Sequence, residues 1–369
     1  MNSIAERNLT QKNPNVSSRL LDCVQGSILG SAIGDAYGFS REGLSPDRCA
    51  RMMMHHGLIH ESIFNKSTFT TETEQLLLTN LGMCDAGGDL EQIGEAFARR
   101  LRRVLPGFMG GMGMATFKAW LKLNCGFSPM RSGVFSAGSA PGMRVVTLGV
   151  IFPHDLDRLR AAVSKLTRVT HTHPIAEQAA FLIACAAAYG YDKGTELGDP
   201  ASVIAEIRKR LGSGADQTLL TILDALVTFA ENRADVRSCL KAINMEKMGP
   251  TGFIAHTVPL SLYAWTMHPH DLHAGLVSVL ALGNVTAALG TMTGGLIGAT
   301  SGISSIPHNL LKGIHIRPLS PNWVKDLAEE MIGMQGSRVR YSWKKRFVRA
   351  VHFYLLLFGI IGKRILPPY

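Results

Sequence analysis

Gly26-Ser27-Ile28-Leu29-Gly30-Ser31-Ala32-Ile33-Gly34-Asp35-Ala36-Tyr37-Gly38 is the stretch whose reading decides the fold. Gly30, Gly34 and Gly38 stand four apart among apolar and small residues, which is the spacing of one helix face. The pattern predicts a helix over Leu20 to Gly34 that ends at a glycine, with Asp35 just beyond and Glu42 a few residues later. A second set, Gly290/Gly294/Gly295/Gly298, repeats the spacing late in the chain. Such sets have two readings. Either two helices approach closely through small residues, or bare backbone approaches a ligand with helix N-termini facing an anion. Spacing favours packing and leaves the other reading open.

Working outward, the chain reads as helix after helix. Glu74 to Cys84, Leu90 to Val104, Met114 to Leu123, Asp155 to Val169, Pro174 to Tyr189, Ala201 to Leu211 and Asp216 to Glu231 carry apolar residues three or four apart. Val258 to Met267, Asp271 to Leu282 and Thr286 to Ala299 continue the pattern. Only Arg144 to Ile151 tempts as a strand. The expectation is an all-α chain with one domain.

Composition bounds the function. Of 369 residues, 46% are hydrophobic and 18% charged, which excludes a disordered chain. No apolar run reaches the roughly 20 residues of a spanning helix, which excludes a polytopic membrane protein. Met1 to Ser18 is polar, so no secretory signal is expected. Six cysteines (Cys23, Cys49, Cys84, Cys125, Cys185, Cys239) lie far apart without a CxxC pair. They read as reduced thiols of a cytoplasmic protein rather than a disulfide framework or zinc ribbon. The net charge is +10, but residues 331–369 hold eight basic residues and no acid. The first 330 residues therefore carry 30 basic against 28 acidic groups, and nucleic-acid binding by the body is not expected.

Four constellations suit chemistry. Gly34 to Gly38 with Glu42 is one; its plain reading is a C-cap and a solvated carboxylate. Thr70-Thr71-Glu72-Thr73-Glu74 opens a leucine-rich helix, and Thr71 with Glu74 fits a capping box. Gly138-Ser139-Ala140-Pro141-Gly142-Met143-Arg144 is a small-residue loop ending in a guanidinium; it suits a diphosphate as well as an ordinary turn. Thr170-His171-Thr172-His173-Pro174 stands at a helix start, where a structural role outweighs a metal pair.

Together, in this order and spacing, the segments resemble the ADP-ribosylglycohydrolase family. The carriers are Gly26 to Gly38 with Glu42, Thr70 to Thr73, Gly138 to Arg144, Val169 to Pro174, Gly252 to Trp265, Gly283 to Ala299 and Ile306-Pro307. The resemblance spans roughly residues 20 to 310. It implies an all-α orthogonal bundle with a cleft for ADP-ribose and two magnesium ions at the ribose.

The chain departs from the family pattern at the metal site. Where the family has Thr-Asp-Asp-Thr, this chain has Thr70-Thr71-Glu72-Thr73. Where it has Asp-Thr-Asp-Thr, this chain has Val285-Thr286-Ala287-Ala288. Thr70 and Glu72 are remnant positions, and no resident metal is expected beyond at most one weakly held Mg²⁺, because that ion demands near-octahedral oxygen ligands. The resemblance then implies Glu42 and Glu72 as catalytic groups, with Glu74 an alternative second acid. It implies Asp35, Gly138, Ser139, Gly142, Arg144 and His171 as ligand-binding groups. The expected partner is an ADP-ribose-like molecule or an ADP-ribosylated protein, either hydrolysed at its N-glycosidic bond or bound without cleavage.

The expected organisation is a polar segment over 1–19, the glycohydrolase-like domain over 20–318 and a basic, apolar extension over 319–369. In that extension Trp343-Lys344-Lys345-Arg346-Phe347 leads into Tyr354 to Ile361 and then Lys363-Arg364. It suits an interfacial membrane helix as well as one packed on the body.

Overall fold

The computed structural model describes residues 14–58, 67–104, 111–312, 314, 319–334, 339 and 343–365. The polar N-terminal segment up to residue 13, and Gly107 to Gly110 of one glycine cluster, lie outside the described residues. The helices in chain order are α1 (Pro14–Phe39), α2 (Pro46–His56), α3 (Thr71–Ala86), α4 (Leu90–Arg102) and α5 (Met114–Asn124). Three short ones follow: α6 (Pro129–Ser132), α7 (Ala140–Met143) and α8 (Val146–Ile151). Then come α9 (Leu156–Arg168), α10 (Pro174–Lys193), α11 (Pro200–Lys209), α12 (Gln217–Glu231), α13 (Ile254–Met267) and α14 (Leu272–Leu280). The last are α15 (Thr286–Ser301), α16 (His308–Lys312), α17 (Pro321–Gly333) and α18 (Trp343–Ile365). The fold is all-α. Among the described residues there is no strand, only isolated bridges such as Val134 with His171 and Gly138 with Phe253. Arg144 to Ile151, the stretch that tempted as a strand, is helical from Val146, and Val146 to Val150 are all buried.

The glycine sets resolve as packing. Helices α1 and α15 run antiparallel, with Gly26 against Gly298, Gly30 against Gly294, Gly34 against Gly290 and Gly38 against Thr286. A Cβ added at Gly30 would sit 2.9 Å from the Gly294 carbonyl carbon, and one at Gly38 would sit 2.6 Å from that of Thr286. Only hydrogen fits. Helix α1 consequently does not end at Gly34, as the sequence reading expected. It runs to Phe39, because Gly34 faces a neighbouring backbone rather than a cap.

One apolar core extends from Cys23 to Met331 around this pair. Asp and Ser caps start the surrounding helices: Asp89, Asp155, Asp199, Asp216 and Asp271 each accept from a first-turn N–H. Trp265 is wholly buried and donates to Thr300 Oγ1 at 2.9 Å. Helix α17 belongs to this core through Trp323, Val324, Leu327 and Met331. The core thus includes the first helix of the 319–369 segment.

One face of α18 packs on the body. Phe353, Leu356 and Ile360 cluster with Phe39, whose ring stacks on Phe353 at 4.8 Å between centroids. Arg346 and Arg349 meet the fully buried Glu74 at 3.1 and 2.9 Å, and Arg349 also donates to the Phe69 carbonyl at 3.3 Å. No helix of the described residues is long and apolar enough to cross a membrane.

Candidate active site

The site forms where the end of α1 meets the starts of α3 and α15. Asp35, on the last turn but one of α1, is fully buried. Its Oδ2 accepts from the Thr70 N–H (2.8 Å), the Thr73 N–H (3.0 Å) and the Thr73 hydroxyl (2.7 Å), while Oδ1 meets the Thr70 hydroxyl at 2.8 Å. A carboxylate thus satisfies the exposed N–H groups of α3 and sits at the positive end of its dipole. Burial raises the Asp35 pKa, and the hydrogen bonds from Thr73 and Thr70 oppose that rise. Asp35 was expected to bind ligand. With both oxygens engaged and no exposed surface, it instead fixes α3 against α1.

Glu72 lies on the first turn of α3 and is half-buried. Its Oε2 is 2.9 Å from the Thr70 hydroxyl, the same hydroxyl that meets Asp35. A hydroxyl has one proton and two lone pairs. Thr70 therefore donates to one carboxyl group and receives a proton from the other. The second proton belongs on Glu72, whose pKa is raised well above the ordinary range by burial and by the charges of Asp35 and Glu42.

Glu42 follows α1 on a tight turn. The turn is clamped to the approach to α15: Gly43 N–H donates to the Asn284 carbonyl at 2.6 Å, and Asn284 N–H to the Leu44 carbonyl at 2.7 Å. Gly43 and Asn284 both adopt positive φ, 74° and 60°. The half-buried Glu42 is thereby set over the start of α15, where Oε2 accepts from the Ala287 N–H at 2.8 Å and lies 3.3 Å from the Thr286 hydroxyl. Thr286 in turn donates to the Gly38 carbonyl at 2.8 Å. Two helix starts thus converge on a cluster of three carboxyl groups, Asp35, Glu42 and Glu72.

Glu74, the alternative second acid, is excluded by its partners. It points to α18, fully buried, and forms ion pairs with Arg346 and Arg349. Nor does it make a capping box with Thr71, since the N-cap is Thr70, which accepts from Glu72 N–H at 3.4 Å.

A second cluster joins the first through α3. Arg144 was expected to grip a diphosphate. It is 0% exposed, with Phe97 under its guanidinium at 4.8 Å. Its donors go to Gln75 Oε1 (3.2 Å), the Leu166 carbonyl (2.9 Å) and the Thr170 hydroxyl (2.7 Å). Burial lowers its pKa to about 9. Arg144 ties α3 to the end of α9 through its two terminal nitrogens, while its Nε–H is buried without a hydrogen-bond partner. Thr170, receiving from Arg144, also shares a hydrogen bond with His171 Nδ1 at 2.8 Å. Nε2 lies against Gly138, where an added Cβ would stand 3.1 Å from it. Burial, then the Arg144 charge, lowers the His171 pKa to about 3, so the ring is neutral. His171, 2% exposed, acts as a floor under the 135–139 loop rather than as an open ligand contact. Gly142 is also buried, against Met292 and Val258. Gly138 and Ser139 are half-exposed, and Phe135 earlier in the same loop is exposed.

Sequence reasoning missed the Ala287 N–H as the anchor of Glu42, Thr70 as the bridge between two acids, and the arginine pair on Glu74. The repeated threonines at 70 and 73 were the available signal for the second. The third had none, since Arg349 lies 275 positions from Glu74.

The ADP-ribosylglycohydrolase family model matches residues 16–340, nearly the whole described body. The chain belongs to that family, whose members are hydrolases of glycosidic bonds. An uncharacterized protein of Archaeoglobus fulgidus is 26% identical over 300 residues, covering 79% of this chain and 90% of that protein. Among solved structures, a chain of an ADP-ribosylglycohydrolase-related protein complex superposes with a TM-score of 0.64 at 21% identity. It covers 86% of this chain and 99% of its own length, which establishes the shared fold.

Five of the six cysteines are buried free thiols. Burial pushes Cys23 to about 11 and Cys84, Cys185 and Cys239 to about 12, so these thiols are unreactive at neutral pH.

Proposed function

We propose that the protein hydrolyses an N-glycosidic bond in an ADP-ribosyl or related nucleoside-type substrate through Glu42 and Glu72, without the two Mg²⁺ ions of its family. The supporting observation is the single Thr70 hydroxyl held between the carboxyl groups of Asp35 and Glu72, which favours the protonated form of Glu72, with the nearby Glu42 raising its pKa further. A protonated Glu72 and a second carboxyl group at Glu42 are the pair from which glycoside hydrolysis draws its acid and its base. As the C1′–N bond breaks, Glu72 gives its proton to the leaving nitrogen. Glu42 takes a proton from water, whose oxygen forms the new bond to C1′. The products are the free amine and the hydroxylated sugar, and one proton then returns from Glu42 to Glu72 through solvent.

The donor set does not fit two magnesium ions. Asp35 has both oxygens filled by Thr70 and Thr73, and Glu42 Oε2 is filled by Ala287 N–H. At the α15 start the side chains are Val285 and Ala287, which offer no oxygen. Among the described residues no three His, Cys, Asp or Glu groups are arranged to hold a metal ion. Octahedral oxygen coordination of Mg²⁺ is not provided by what remains.

The alternative is a binding protein for ADP-ribose or an ADP-ribosylated partner that does not cleave it. The anchoring of Glu42 to α15 favours this reading, since its Oε2 is already engaged by the Ala287 N–H. Calorimetric titration with ADP-ribose in EDTA, followed by assay of ADP-ribosylated arginine, serine and nucleoside substrates in the same buffer, separates the two. Binding together with turnover supports the hydrolase. Binding with no turnover of any substrate overturns it in favour of the binding protein.

A further inference from the structure

The face of α18 turned away from the body is apolar. Val348, Val351, Tyr354, Leu355, Phe358 and Ile361 are exposed, with Leu355 at 56% and Phe358 at 70%. They recur three or four apart, so they form one continuous stripe opposite Phe353, Leu356 and Ile360, which are held by Phe39. The 23-residue helix is about 34 Å long. The stripe runs from Val348 to Ile361, about 20 Å of that helix, and a continuous apolar strip of this kind marks an interaction surface.

The charge on the helix selects the partner. Lys344, Lys345, Arg346 and Arg349 lie toward its start and Lys363 and Arg364 at its end, with no acid anywhere in residues 331–369. Arg346 and Arg349 are used by Glu74, and Lys344 is exposed. Two copies of α18 laid together in either direction bring cation against cation, so a second copy of this chain fits poorly. A flat anionic surface accepts the apolar stripe and the basic ends together.

We propose that α18 docks the protein on an anionic lipid surface, lying in the interface with its apolar stripe inserted and its inner face still on the body. The stripe is too short and too one-sided to span, which agrees with the absence of a membrane-crossing helix among the described residues. The proposal is independent of the hydrolase reading, because it concerns the opposite face of α18.

The test is sedimentation of the full-length protein with vesicles of phosphatidylcholine containing about 30% phosphatidylserine, set against pure phosphatidylcholine. Binding to the anionic vesicles is expected, at least about tenfold tighter than to the neutral ones and weakened by high salt. The Leu355→Glu/Phe358→Glu double variant should lose binding by about tenfold or more, with an unchanged thermal transition because both sites are exposed. Val348→Ser/Leu355→Ser serves in the same assay if the first pair fails to fold. Absence of binding, or equal binding by the folded variants, overturns the proposal. So does a lipid-free dimer, seen by light scattering, that the same substitutions dissociate, since a second copy then covers the stripe.

Discussion

Replacing Gly30 by alanine isolates what holds the two central helices together. In an isolated helix the change is favourable, because alanine exceeds glycine in helix propensity by about 1 kcal/mol. Here the new Cβ would stand 2.9 Å from the Gly294 carbonyl carbon, with the carbonyl oxygen nearer still. Carbon–carbon contact is comfortable at roughly 3.5–4.0 Å, so the deficit is on the order of 0.6–1 Å. It falls on backbone, which has no rotamer to turn aside. The helices must part along a seam that also contains Gly26, Gly34 and Gly38. Overpacking of this kind costs about 1–3 kcal/mol, and the net effect of Gly30→Ala is a loss of that order. Gly94 is the control: its Cβ would meet the Lys165 carbonyl oxygen at 3.4 Å, an ordinary contact. Gly94→Ala should therefore be neutral or stabilising by up to about 1 kcal/mol. Urea unfolding of the two variants gives opposite signs if the seam is a true backbone contact. A Gly30→Ala protein as stable as the parent would refute the reasoning.

The remaining predictions follow from the site and the extension. Removing Arg349 by Arg349→Met leaves Glu74 with part of its countercharge buried, and unfolding should show a loss of about 3–5 kcal/mol, much of it restored in Arg349→Met/Glu74→Leu. Neutral His171, with a pKa of about 3 folded against 6.5 free, makes stability complete above pH 6.5 and lost as pH falls toward 3. The slope attributable to it is at most about 1.4 kcal/mol per pH unit, and His171→Asn should flatten the stability–pH curve in that window. Thr70→Val removes the hydroxyl between Asp35 and Glu72 together with the α3 cap, and should cost about 1–3 kcal/mol with loss of turnover, whereas Thr70→Ser should keep both. A Thr70→Val protein with parental turnover would contradict the proton placement on Glu72.

The sequence carried the fold because its strongest signals were local. Glycines four apart mark a helix face, and the order of short motifs along the chain matched a family whose bundle the structure reproduces. The glycine spacing did not tell where α1 stops, because a helix end and a close helix crossing ask for the same residue. Glu42 and Glu72 were legible as candidates since each follows a motif by a fixed short distance. Arg144, His171 and Asp35 were legible as candidates, but their burial was not. A guanidinium after a small-residue loop reads as an anion clamp, and only the structure shows that its two terminal nitrogens are engaged by Gln75, Leu166 and Thr170. Ion pairs across 275 positions, such as Arg349 with Glu74, leave no periodic trace in a single chain.

The most direct test of the two-glutamate account is single-turnover hydrolysis in EDTA by the parent, Glu42→Gln and Glu72→Gln, on whichever ADP-ribosylated substrate the parent cleaves. The account predicts turnover by the parent that added Mg²⁺ does not increase, and a loss of about 10²–10⁴-fold in each variant. Hydrolysis that appears only on adding Mg²⁺, or that survives Glu72→Gln unchanged, would contradict it.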